Sequence, residues 1–266
     1  MPSTPDFGKP HTPIPPASPC RPPALPLEGV LINAGLALNY GMKLPREVPV
    51  MTLPSATLFP QALLPLFIFE PRYRLMLAET LRTHRMFAVA MQKRGASRET
   101  PVSVAGLGLI RVAVGHRDGT SHLILQGIVR VELGPAVHYK PYRVHRIRPL
   151  RTPPRDDVRV DALLAKVREL LEERIALGIP FPFPVMAPEK IDADPVVPPG
   201  FSPKEILGYL HSINDPEQAA DLVTCAVLPG ASERQTILET VDVEIRLRRL
   251  IQFLLEEIRK QRKRKS

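Results

Sequence analysis

Two histidines, His116 and His122, flank the pair Asp118-Gly119 between two runs rich in β-branched residues, so that across a hairpin their rings could approach one another and share a metal ion. With no Cys or carboxylate cluster beside them they form a weak ligand set, and no metal is expected. Glu70, Glu79, Asp118 and Asp156 supply carboxylates, but nothing in their spacing joins two of them into an acid and base pair. No Gly-x-x-x-x-Gly-Lys-Ser/Thr occurs, so the backbone cradle and lysine that hold nucleotide phosphates are missing. Gly-x-Ser-x-Gly and His-Glu-x-x-His are absent as well, and Gly106-Leu-Gly-Leu lacks the third glycine and following helix of a dinucleotide site, reading instead as a strand bend or bulge. Neither a catalytic residue nor a cofactor is expected.

The elements that carry these residues follow from composition and pattern. With 266 residues, 44% of them hydrophobic, the chain can bury one good core and a second layer of helices. It has 32 Pro and no Trp, and residues 1–41, crowded with X-Pro steps, are expected to be a disordered leader. Met42, ahead of the first strand pattern, is expected to begin the folded protein or translation itself. The net charge of +9 invites a nucleic-acid reading, but six positive charges fall in residues 259–265, which leaves the body nearly balanced. Two Cys, Cys20 and Cys225, are too few for a disulfide framework, and no apolar run reaches 18 residues, so a cytoplasmic protein without a membrane span is expected.

Residues 42–152 read as mainly β. Strands are predicted near 48–53, 87–92, 102–114, 123–133 and 142–150; Pro49 should confine the first to an edge or first position, and Asp118-Gly119 predicts a type I′ hairpin turn. One helix, from Pro71 to about Thr83, should bury Leu75, Met76 and Leu81. Residues 153–266 read as helical with a basic tail. A helix over 157–177 carries Val160, Leu163, Leu164, Val167, Leu170, Leu171 and Ile175 on one stripe and ends at Gly178. After a Pro-rich loop, Ser202 with Glu205, Asp215 with Gln218 and Ser232 with Gln235 resemble three capping boxes, the last opening a long helix over about 233–261.

The most distinctive stretch runs from Leu58-Phe-Pro through Leu63, Leu64 and Pro65-Leu-Phe-Ile-Phe-Glu-Pro-Arg-Tyr-Arg-Leu-Met. Its apolar half should bury Leu66 and either Phe67 or Ile68, after which Glu70 accepts hydrogen bonds at the helix start and Arg72 or Arg74 pairs with a carboxylate. Tyr73 brings apolar bulk and one hydroxyl to satisfy.

This stretch resembles the signature of the Lon substrate-binding (Lon N-terminal) domain. Ala105-Gly-Leu-Gly-Leu-Ile, Leu125-Gln-Gly-Ile-Val-Arg-Val, Pro141-Tyr-Arg-Val, Ala220-Asp-Leu-Val and the segment from Arg234 to Leu250 extend the likeness over roughly residues 48–258. Gln61 departs from the family, which often has Gly there. The resemblance implies an α+β chain, a PUA-like β pseudobarrel followed by a helical bundle. It also implies binding of unfolded or tagged protein segments, a place in protein quality control, and cooperation with a separate ATP-dependent protease, with neither ATPase nor Ser-Lys peptidase chemistry of its own. Leu63, Leu64 and Phe67 are the candidate substrate-binding residues, and Glu70, Arg72 and Tyr73 are expected to be structural. The competing reading is a nucleic-acid binder using Arg143, His145, Arg146 and Arg148 with the basic tail, although few aromatics accompany those charges. A small-molecule pocket on the curved sheet is a weaker alternative.

Overall fold

The computed structural model describes residues 43–96, 99–181 and 203–265; the leader and most of the Pro-rich loop, including Ser202, lie outside the described residues. Six strands come first: β1 (Glu47–Leu53), β2 (Leu63–Ile68), β3 (Met86–Met91), β4 (Val104–Gly115), β5 (Ser121–His138) and β6 (Arg143–Pro149), with helix α1 (Pro71–Arg82) between β2 and β3. Helices α2 (Asp157–Ala176), α3 (Pro203–Ser212), α4 (Pro216–Val227), α5 (Ala231–Glu239) and α6 (Val243–Lys265) follow. The chain is thus α+β with a mixed sheet, in the order β2-β5-β4-β3-β1-β6. A further β5–β6 pairing closes five of the strands into a ring and leaves β2 attached to β5 alone.

β5 makes that closure feasible, because it is 18 residues long and pairs with β2, β4 and β6 along its length. Register shifts near Ala136 and His138 bend it toward β6. β1 is not an edge strand, contrary to the expectation from Pro49: it pairs antiparallel with β6 and parallel with β3. Pro49 is tolerated because it stands opposite Val144 of β6, while pairing with β3 begins only at Val50. The Asp118-Gly119 turn also differs from type I′. Gly119 alone in the loop has positive φ (82°), and its N–H donates to His116 O at 3.0 Å, the geometry of a type I turn followed by a left-handed glycine.

The segment Leu58-Phe59 lies across the sheet and joins two cores. Leu58 packs with Met51, Ile68, Met76, Phe87, Ile110 and Leu125 under α1, whereas Phe59 belongs to the helical core with Val167, Val223 and Leu250. Close approach demands glycine beneath it: a Cβ on Gly106 would stand 1.9 Å from Leu58 O, and one on Gly127 1.9 Å from Phe59 O. The chain then turns through Gln61, whose φ of 66° is left-handed. Gln61 N–H and Ala62 C=O both bond Gly127 (2.8 and 2.9 Å), so two residues oppose one in a bulge that launches β2.

α1 buries Tyr73, Met76, Leu77 and Thr80, one face at helical spacing, with Leu81 packed against the same core; of the predicted face Met76 and Leu81 turn inward and Leu75 alone is exposed. α2 follows its predicted stripe and ends at Gly178, whose φ is 69°. The predicted last helix is two helices. Arg246 is fully buried and donates to Thr240 O (2.9 Å) and Val241 O (2.8 Å), and Asp242 caps the new start by accepting from Ile245 N at 3.0 Å. The break rotates the phase, so α6 buries Val243, Leu247, Leu250, Leu254 and Ile258 and exposes Ile245. Asp215 caps α4 through Glu217 N, but Ser232 is no cap, because α5 begins with Gly230 at its N-cap. Gln235 instead donates to Val104 O of β4 and to Glu239.

Replacing Gln61 by Gly should relieve the left-handed strain and raise stability by about 1 kcal/mol, whereas Gly127→Ala should lower it by about 2 kcal/mol or more. Urea unfolding of the two variants checks both signs; a neutral Gly127→Ala would contradict the close crossing of Phe59.

Candidate functional site

The three candidate binding residues separate on β2. Strand alternation turns Leu64, Leu66 and Ile68 toward the core, where Ile68 is buried, and turns Leu63, Pro65 and Phe67 outward. Leu63 is 53% exposed, Phe67 49% and the following Phe69 59%. Leu64 therefore does not share a face with the other two. Cross-strand pairing continues the outward face: Phe67 lies opposite His122, which lies opposite Val114, and Pro65 lies opposite Ile124, which lies opposite Val112. Ile124, Val112 and Val114 are all exposed, and the register shift between Ile110 and Val112 is what brings the two valines onto this side.

Aromatic contacts hold this face in shape. Phe67 stacks with Phe69 at 5.8 Å between centroids and tilts onto His122 at 4.7 Å, and His122 Nδ1 meets His116 Nε2 at 2.7 Å. The two histidines thus use ring nitrogens on one another, one donating and one accepting. Arg111 donates to Gln126 Oε1 at 2.5 Å and covers that buried amide at the opposite end of the face.

Of the residues expected to be structural, Glu70 and Arg72 form a partly exposed ion cluster with Glu99. Arg72 bonds Glu70 Oε2 through Nε and Nη2 (2.9 and 2.7 Å) and Glu99 through Nη1 and Nη2 (2.5 and 2.8 Å), with its guanidinium 4.6 Å from the Tyr73 ring centre. Glu70 stands at the N-cap of α1, but its side chain makes no cap bond; its backbone carbonyl accepts from Tyr73 and Arg74. Tyr73 is buried, its hydroxyl 3.4 Å from both Thr52 N and Thr52 O.

A buried ion triad went unread in the sequence although its members stand inside the quoted motifs. Asp221 Oδ1 accepts from Arg130 Nη2 and, at 3.1 Å, from Arg246 Nη1. Asp221 is 1% exposed, Arg130 5% and Arg246 0%. Three further guanidinium bonds go to carbonyls: Arg130 Nε donates to Leu238 O (3.0 Å), and Arg246 donates to Thr240 O and Val241 O. Burial lowers Arg246 from its ordinary value, opposed by the Asp221 charge. Charged residues set within apolar runs, Ile128-Val-Arg-Val and Val243-Glu-Ile-Arg-Leu, were the available signal. Beside the triad, burial and the Asp221 charge push the Cys225 thiol up to about 12, which leaves it an unreactive packing group.

The basic groups proposed for nucleic acid are otherwise engaged. His145 is buried with Nδ1 2.9 Å from Gly134 O, Arg146 pairs with Glu47 at 3.2 Å, Arg148 pairs with Glu132 at 2.5 Å, and Arg143 lies 5.2 Å over Tyr139. In the tail, helix α6 continues to Lys265 and Arg262 bonds Glu173 of α2 at 2.6 Å. No helix among the described residues is long and apolar enough to cross a membrane.

Two outcomes follow. Asp221→Asn leaves two buried guanidiniums without a counter-charge and should cost about 3–5 kcal/mol in urea unfolding; a loss below about 1 kcal/mol would contradict the triad's role. Hydrogen bonds from Arg72 hold the Glu99 carboxyl below its ordinary range, so the pair's contribution is full above that range and is lost as pH falls through the lowered value. The Glu99 carboxyl carbon should accordingly titrate at lower pH by NMR than in Arg72→Gln.

Comparison with known proteins gives the arrangement a lineage. Residues 47–256 match the family model of the ATP-dependent protease La (LON) substrate-binding domain. Lon protease of Desulfosudis oleivorans is 24% identical over 221 residues, covering 81% of this chain and 24% of that protein. Lon protease of Phenylobacterium zucineum is 26% identical over 232 residues, covering 85% and 27%. The chain therefore spans about a quarter of the length of these curated relatives. Among solved structures, the N-terminal domain of Mycobacterium avium complex Lon protease superimposes with a TM-score of 0.59 at 18% identity, covering 78% of this chain and 97% of that one. This chain belongs to the LON substrate-binding domain family.

Proposed function

We propose that the protein is a substrate-recognition module that holds unfolded or tagged polypeptide on the outer face of β2, β5 and β4 and delivers it to a separate ATP-dependent protease, without cutting it. In this reading the five-strand ring is a PUA-like pseudobarrel that serves as a rigid frame, and Leu63 and Phe67 are contact residues, joined by Phe69, Val112, Val114 and Ile124. Leu64 supports the face from beneath.

The observation that carries the reading is the contiguous apolar face itself. Seven residues from three adjacent strands and the β2 exit, Pro65 among them, present apolar side chains outward. Scattered exposed apolar residues are ordinary, but a continuous patch on a sheet marks a contact surface. Family membership supports the choice of polypeptide as the ligand.

Binding of a fluorescent, apolar-rich unfolded polypeptide, followed by anisotropy at two salt concentrations, should change little with salt. It should weaken by about tenfold on Phe67→Asp, the loss expected when one aromatic contact worth about 1.4 kcal/mol is removed. Phe67 is half exposed, so circular dichroism of the variant should match the parent. Binding that falls steeply with salt and survives Phe67→Asp would overturn the reading.

A further inference from the structure

We infer that the open edge of β2 captures its polypeptide by strand addition, reading the main chain of an extended segment and not only its side chains. The inference rests on the recognition reading above and specifies how that face works.

Among the described strands β2 is the one with a single partner. The bulge at Gln61 fixes which of its backbone groups are used. Gly127 N–H donates to Ala62 O, so residues 62 and 127 form a hydrogen-bonded pair. The β2–β5 register continues through Leu64↔Leu125, Leu66↔Leu123 and Ile68↔Ser121, and hydrogen-bonded pairs alternate along an antiparallel ladder. Those three pairs are therefore bonded to β5, and the backbone groups of Leu63, Pro65 and Phe67 point away from it. The free edge offers N–H donors at Leu63 and Phe67 and C=O acceptors at Leu63, Pro65 and Phe67. Pro65 has no N–H, and it occupies a position where none is used within the sheet.

The same three residues present the outward side chains, so main-chain and side-chain recognition coincide. Residues directly opposite in a ladder share a face, and a segment added here would set every second side chain beside Leu63, Pro65 and Phe67. Charge defines the flanks. Arg111 stands at the Leu63 end beside Gln126, and Arg74 and Arg117 stand at the Phe67 end, where Arg74 lies against Gly119 of the β4–β5 turn. None of the three pairs with a carboxylate among the described residues, and Asp118 is occupied by Thr120 through its N–H and hydroxyl. The fitting partner is an extended segment with apolar residues at alternate positions, acidic residues at its ends and no proline at the positions that face β2.

A labelled peptide Glu-Val-Thr-Val-Thr-Val-Glu tests this directly. N-methylation of its three valines, whose amides would face β2, should weaken binding by at least about tenfold, whereas N-methylation of its threonines should leave binding near the parent's. Amide exchange at Leu63 and Phe67 should slow on saturation while that at Arg117 does not. Equal binding of both methylated peptides with unprotected Leu63 and Phe67 amides would overturn strand addition and leave side-chain capture standing. A parent peptide that fails to bind while an unfolded polypeptide binds would overturn the inference alone, and failure of both would overturn the recognition reading with it.

Discussion

One carboxylate, that of Asp221, holds the two halves of the molecule in register. Arg130 comes to it from the middle of β5 and Arg246 from the first turn of α6, so a single buried charge ties the sheet to α4, to the end of α5 and to the start of α6. Such a triad contributes little net stability compared with an apolar filling, because desolvation of three charges offsets most of their attraction. Its effect is to specify geometry. Two buried guanidiniums that must share one carboxylate and also reach carbonyls admit few arrangements, and the one adopted breaks the α5–α6 helix at residues 240–242.

The crossing of Leu58-Phe59 depends on the same joint. Phe59 enters the helical core, and Arg130 passes 5.8 Å over its ring on the way to Asp221, while Leu58 seals the core beneath α1. Gly106 and Gly127 clear the path, and the bulge at Gln61 then delivers β2 with Leu63 and Phe67 facing out. The proposed recognition face is thus positioned by contacts that lie outside it. A sheet that is anchored on one side can leave an apolar strand uncovered on the other without collapsing around it.

Much of this was legible in the sequence where pattern and physics agree. The β-then-α order, the β4–β5 hairpin, the α2 stripe with its Gly178 stop and the Leu58-to-Met76 signature all carry strong local signals. Local rules failed where tertiary contacts decided. Pro49 reads as an edge residue until β6 and β3 are seen to engage different parts of β1, and residues 233–261 read as one helix until the buried Arg246 claims the carbonyls that would continue it. Leu63, Leu64 and Phe67 read as one apolar cluster, yet period-two alternation alone would have set Leu64 apart. Arg130, Asp221 and Arg246 are separated by as many as 91 residues in pairwise contact, and no spacing rule joins them.

Polypeptide is proposed to lie on the outer face of β2, β5 and β4, not on the basic end of α6. Methyl NMR of the full chain during titration with an unfolded, apolar-rich polypeptide tests it most directly. Shifts are expected at Leu63, Val112, Val114 and Ile124, with Leu247 and Leu250 of the helical core unmoved; shifts confined to Ile258 and the neighbouring basic turns, with the sheet face silent, would contradict binding on the sheet.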